Sequence, residues 1–237
     1  MSLYLLLDIL VISVPLALSF DRKVAFYRHW PAMGLSILTV GTVYVVWDVC
    51  ATRRGDWSFS EEYTGALRIG GLPLEEILFF VVVPYACIFV LEVLRAYLPE
   101  KEWLLPRRLL ALLGGLLIVA GLVFYRMPYS LTVFVVTGAF FLLIGLERPG
   151  PADRRSFWLA LAISYVPFLI ANGVLTAMPV VLYGEGHILG IRIGSIPVED
   201  FFYSLSMLGF YFLVYLILDE RLFSRGRTSR EEGVWKR

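Results

Sequence analysis

Two short strings carry most of the chemistry this chain could perform: Pro73-Leu74-Glu75-Glu76 and Pro197-Val198-Glu199-Asp200. Each puts two adjacent carboxylic acids after a proline and at the head of an apolar run. Proline suits the first turn of a helix, because its missing N–H would have no intrahelical partner there. Neighbouring helical residues are about 100° apart, so each motif can aim one acid inward and the other at the interface or an arginine. Acids at a helix start can also merely satisfy unpaired amides and the helix dipole. Finding the device twice, with apolar residues following at once, favours function, since carboxylates inside apolar spans are costly. Four such carboxyls sharing a partly dry site cannot all ionise, so at least one is expected to keep its proton, as a general acid must. Glu75 and Glu199 are expected to be the principal acid and base, with Glu76 and Asp200 holding the proton count and orientation.

Other polar residues in apolar surroundings are candidate supports. Asp48 and Asn172 could act as partners of the acids or as hydrogen-bond glue between helices. Arg68 and Arg192 precede the two motifs and could pair with the acids or be loop cations. Trp47 could face a cation with its ring. Asp8 has no evident partner, Glu92 is placed to snorkel, and Trp30, Trp57, Trp103 and Trp158 read as interface anchors. No Gly-X-Gly-X-X-Gly follows a strand, and no Cys/His spacing suits a metal, so neither a cofactor nor a metal is expected. Lys23, Lys101 and Lys236 all lie outside apolar runs, which excludes a Schiff base within a span.

The elements that position these residues are membrane helices. Of 237 residues, 59% are hydrophobic and only 17% charged, against roughly 25% charged in a soluble domain. Seven runs approach the roughly 20 apolar residues of a span: Leu3–Phe20, Pro31–Cys50, Leu74–Leu98, Leu109–Tyr125, Tyr129–Leu146, Phe157–Leu182 and Val198–Leu218. With seven spans, Lys and Arg divide 16 against 5 between the two sides. That bias puts the C-terminus in the cytoplasm and the N-terminus outside a multi-pass cell-membrane protein. The residues from Arg68 to Glu76 reappear in kind from Arg192 to Asp200, an offset of 124 that also carries Asp48 onto Asn172. The expected fold is therefore all-α and integral to the membrane, with two parallel three-helix repeats (spans one to three and five to seven) joined by a connecting helix. Its boundaries fall at 1–98 and 128–221 for the repeats and 99–127 for the connector. A basic tail, 222–237, is expected to be unstructured.

At these motifs the sequence resembles the membrane-integral, flavin-independent lycopene cyclases, which occur as two small subunits in some bacteria and as a fused chain in archaea and fungi. The resemblance rests on Pro73-Leu74-Glu75-Glu76-Ile77-Leu78-Phe79-Phe80 with the following Val-Val-Val-Pro, and on Pro197-Val198-Glu199-Asp200-Phe201-Phe202. It covers both repeats; Asp200 departs from the Glu of the first motif. The resemblance implies redox-neutral, cofactor-free cyclisation of the linear ends of lycopene to β-ionone rings, giving β-carotene by way of γ-carotene. It implies a lipophilic carotenoid substrate, membrane lipid around the chain, other carotenoid-pathway enzymes as candidate partners, and no nucleic acid. Two other readings stay open: a small proton-coupled transporter, and a hydratase in which water captures the cation.

Overall fold

The structure, a computed structural model, describes residues 1–103, 105–147 and 150–234, with residues 223–234 described by their backbone alone. Of the tail expected to be unstructured, the backbone of residues 222–234 continues the last helix, and residues 235–237 lie outside the described residues. Eight α-helices are present among the described residues: α1 (Leu3–Leu18), α2 (Trp30–Ser36), α3 (Thr42–Arg54), α4 (Leu74–Tyr97), α5 (Arg107–Val123), α6 (Pro128–Glu147), α7 (Arg155–Ala177) and α8 (Val198–Val234). A π-helical turn at Ile37–Gly41 joins α2 to α3, so that Phe26–Arg54 reads as one rod. That irregular turn packs against α8. A Cβ on Gly41 would meet the Tyr211 hydroxyl at 2.9 Å, and this hydroxyl donates to the Phe80 carbonyl at 2.9 Å.

Among the described residues, five helices are long and apolar enough to cross a membrane: Phe26–Arg54, Leu74–Tyr97, Pro128–Glu147, Arg155–Ala177 and Val198–Leu222. α1 and α5 are shorter, at 16 and 17 residues. Their outward faces are nonetheless apolar, with Leu10, Val14, Leu112, Leu116 and Val119 exposed, as are Val166 and Ile170 on α7. Water would not tolerate so much exposed apolar surface, whereas lipid suits it. These features are compatible with a multi-pass membrane protein.

The sixth expected span is corrected at its end. It does not run to Leu182: α7 stops at Ala177, and Val181–Tyr183 form a strand, β4. Pro179 cannot continue the helix, and the β-branched and aromatic residues after it pair antiparallel with β1 (Trp57–Phe59). The register is Trp57 with Tyr183, Ser58 with Leu182 and Phe59 with Val181. The buried Asp56 fastens this pair at one end, bonded to Arg54 and, at 2.8 Å, to His187. Two hairpins, β2–β3 (Arg68–Ile69 with Leu72–Pro73) and β5–β6 (Arg192–Ile193 with Ile196–Pro197), deliver the chain into α4 and α8. Gly70 and Gly71 both have positive φ, as a type I′ turn demands; in the second hairpin only Gly194 does, the pattern of type II′. Prolines 73 and 197 then end the hairpins and start the helices.

Glycines set the spacing of α5 and α6. A Cβ on Gly114 would approach the Gly138 carbonyl at 2.7 Å, and one on Gly138 would meet the Gly114 carbonyl at 2.7 Å. Small residues let membrane helices approach closely. Gly138→Val is therefore expected to lower the melting temperature of the detergent-purified protein, through overpacking worth about 1–3 kcal/mol. An unchanged melting temperature would mean the helix pair can open without cost.

Glu92 does not snorkel. It is buried beside α8, bonded to Arg95 and accepting from the Tyr215 hydroxyl at 2.7 Å. Arg95 also reaches Asp219 at 3.1 Å, and His29 lies 2.6 Å from the same carboxyl. The His29, Glu92 and Asp219 ligand atoms sit within 4.8 Å of one another. Arg95 already supplies the positive charge there, and the cluster clamps α4 and α8 to His29, the residue just before α2.

Candidate active site

The two acidic motifs start α4 and α8, and the helical rotation between neighbouring residues gives the two acids of each motif different surroundings. Glu75 and Glu199 turn toward the loops. Glu75 Oε1 accepts from the Gly65 N–H at 2.7 Å and from the Ser2 hydroxyl at 2.5 Å. Glu199 Oε1 accepts from the Leu189 N–H at 2.7 Å and from the Ser130 hydroxyl at 2.6 Å. Gly65 and Leu189 are related by the same offset of 124 as the glutamates themselves. Both acids are buried, and the second oxygen of each has no hydrogen-bond partner. Neither lines the cavity that the other two acids share.

Glu76 and Asp200 turn inward. The Tyr4 hydroxyl donates to Glu76 at 2.7 Å, and the Asp48 carboxyl lies within hydrogen-bonding reach of Glu76. Asp48 is itself buried. Its Oδ1 accepts from the Trp57 indole at 2.7 Å and from Thr52 at 3.3 Å, while its Oδ2 has no donor. Asp200 accepts three donors: the Tyr129 hydroxyl at 2.7 Å, the Asn172 amide at 2.8 Å and the Tyr183 hydroxyl at 2.6 Å. Burial first, and the Asp200 carboxylate second, push the Tyr183 phenol well above its ordinary range, so it keeps its proton and donates.

Glu76 and Asp200 line one and the same cavity, of about 420 Å³, bounded by α1, α4, α7 and α8. Along α4 its wall runs from Glu76 past Phe79, Val83, Ala86 and Cys87 to Val90. At 1.5 Å per residue that is about 21 Å of depth. Beyond the acids the wall is almost wholly apolar, and small residues (Ala86, Ala171, Ser164, Ser204) keep it open. The acid end is an aromatic cage. Tyr129 meets Trp57 edge-on with centroids 4.9 Å apart, and lies 6.1 Å from Tyr183 and 6.4 Å from Tyr203. Ring faces of this kind attract a cation. The site can thus hold an elongated apolar molecule with one end among two carboxyls and a ring of aromatic faces.

The remaining sequence candidates lie outside the cavity wall. Trp47 packs behind Tyr203 with centroids 5.1 Å apart, its indole N–H buried and without a partner. Arg68 bonds Thr64 at 3.5 Å and attracts Glu75 through space. Arg192 bonds the Ser195 carbonyl and stands over the Tyr183 ring at 5.5 Å, so it reaches Asp200 only through Tyr183. Asp8 is buried on α1, one turn beyond Tyr4.

Sequence reasoning missed Tyr4, Tyr129, Tyr183 and Tyr203, and it misread Trp57. That tryptophan is not an interface anchor; it is buried, lines the cavity and orients Asp48. The missed signal was the repeat itself. Tyr4 and Tyr129 do the same work for Glu76 and Asp200, but they differ by 125 positions rather than 124, so the ungapped register places Tyr4 opposite Pro128.

No curated protein and no solved structure matched the chain. The family model described as lycopene cyclase matches it in two segments, residues 1–94 and 126–218, leaving out the stretch that contains α5. With most of its length covered, both acid pairs included, the chain belongs to the lycopene cyclase family.

Proposed function

We propose that the chain cyclises the linear ends of lycopene to β-ionone rings, at one composite site shared by its two halves. The observation that carries this reading is the single cavity: it brings Glu76 and Asp200 to one aromatic end of an otherwise apolar channel. The reaction needs a proton given to a terminal alkene, a cation held while the next double bond closes on it, and a proton taken away. No electrons move, so the reading includes no redox cofactor. Lycopene is a hydrocarbon resident in the bilayer, and the channel offers its length little but apolar contact.

In this proposal the roles expected from sequence are exchanged. Glu76 and Asp200 do the proton chemistry because they face the cavity. Glu75 and Glu199 pin the preceding loops and the neighbouring helix through Ser2, Gly65, Ser130 and Leu189. A proton-coupled transporter is the weaker reading. Past the tyrosines and Asn172 of the acid end, the described wall toward Val90 offers Cys87, Ser164 and Ser204 as polar groups, too few to relay protons to the Glu92–Asp219 cluster.

The proposed architecture is seven spans in two parallel repeats, with α5 as the connector. Support comes from the recurring loop contacts, the self-matched pairing of Ser58 with Leu182 at an offset of 124, and the two-segment family match. Under it, with basic loops at 16 against 5, a C-terminal reporter active only outside the cytoplasm stays silent. A strong signal would rule out that topology. The function itself is tested by expressing the chain in lycopene-accumulating cells and separating the pigments. β-Carotene is the expected product, and unchanged lycopene alongside inserted protein would overturn the reading.

A further inference from the structure

We infer that the two halves of the site are chemically unequal, with Glu76 backed by Asp48 as the proton donor and Asp200 held by Asn172 as the base. This rests on the cyclase reading above and adds the direction in which the proton travels.

Positions 48 and 172 correspond in the two halves, and each faces the inward acid of its own half. The residue types differ, and the difference is a proton. Asn172 donates to Asp200 with an N–H it always has. Together with Tyr129 and Tyr183 it fills the Asp200 oxygens with donors, leaving that carboxyl as an acceptor. Asp48 has no such hydrogen to offer. It meets Glu76 carboxyl to carboxyl, and two carboxyls in contact cohere only if one proton lies between them. The buried Asp48 Oδ2, without any donor, is where that missing hydrogen would be felt. Other charges deepen the contrast: Asp8 is a further buried acid on α1, close enough to act electrostatically on Tyr4 and Glu76. Its counterpart helix α6 carries no acid before Glu147. The first half therefore stores a proton, and the second receives one.

The step balances. The Glu76 O–H breaks as its proton adds to the terminal double bond of the linear end. The resulting cation is captured by the next double bond along the chain, which forms the ring bond and moves the positive charge into the ring. Asp200 removes a ring proton, and the electrons of that C–H bond become the ring alkene. Glu76 ends as a carboxylate and Asp200 as an acid, and exchange with water at the loop face restores both. Asp48 and Asn172 are positioning residues, acting through the carboxyls they touch.

The test uses full-length purified protein in liposomes with lycopene in D₂O, and mass spectrometry of both product and recovered substrate. Wild type is expected to place one deuterium in each ring. Asp200→Asn should still protonate, so deuterium appears in recovered lycopene, in rings with a displaced double bond, or in alcohols formed when water takes the cation. Glu76→Gln should yield none of these. Asp48→Asn should depress deuterium uptake and ring formation together, whereas Asn172→Leu should depress ring formation and leave deuterium uptake; this second pair decides if either acid variant fails to insert. Uptake surviving in Glu76→Gln but lost in Asp200→Asn would reverse the assignment. Equal behaviour of the two halves would overturn it. A wild type that forms no rings at all refutes the cyclase reading instead, so the two failures are distinguishable.

Discussion

Glu76→Gln is expected to lower ring formation by at least about 100-fold per inserted molecule, the lower end of what general acid–base groups contribute. The substitution keeps the size of the side chain and its acceptance from Tyr4, but it removes the transferable proton. Asp200→Asn should lose a comparable factor, because an amide has no basic oxygen to receive the ring proton. Both effects belong to turnover and not to folding, so the variants should insert and purify as the parent does. The loop-facing acids supply the contrast. Glu75→Gln and Glu199→Gln weaken hydrogen bonds to Ser2, Gly65, Ser130 and Leu189. A loss of about 1 kcal/mol of stability, as for a helix cap, with turnover within a few-fold of the parent is the expected result. If the outward pair proves inactive and the inward pair active, the roles proposed from the cavity are wrong.

How far the sequence alone could have reached this point is decided by the distance over which each signal acts. The acids, their prolines and the 124-residue offset are local, contiguous patterns, and all were legible. So was the correspondence of Asp48 with Asn172, since the same offset carries one onto the other. Which member of each acid pair faces inward was not. On a helix start, two adjacent residues differ by about 100° of rotation, and the apolar residues around these motifs fix no inward direction. That direction is set by what packs there, notably Tyr4 and Tyr129 from other helices. Leu182 was misplaced for a similar reason. Val-Leu-Tyr after Met178-Pro179 is equally apolar as helix end or strand, and only the partner strand at Trp57–Phe59 decides. Glu92 looked like a residue reaching for water because the Tyr215 hydroxyl that holds it comes from a helix 123 residues away.

Blocking the channel should be as damaging as removing an acid, and it separates channel from acids by position. Ala86 lies on the wall ten residues beyond Glu76, about 15 Å along α4, and Val90 lies about 21 Å along. Neither touches a carboxyl. Ala86→Trp puts a large ring into a cavity of only about 420 Å³. A lycopene end threaded along this channel could then no longer bring its terminal double bond to Glu76. Ring formation should fall at least about 100-fold, since misplacing a reacting group by even an ångström can cost that much. Val90→Trp, at the far end, should be nearly as severe if the rest of the polyene continues past it toward the lipid. It should be mild if the chain leaves the cavity earlier, between α1 and α7. Overpacking could also destabilise the bundle, by about 1–3 kcal/mol, so each variant is scored per correctly inserted molecule with its melting temperature alongside. Ala86→Ser, which adds one small polar atom, serves as the control and should retain most activity. A fully active, stably folded Ala86→Trp would show that the substrate end reaches Glu76 without using the channel. The acids would then have to be served from nearer their own end, for example through the loop face beside Trp57 and Tyr183.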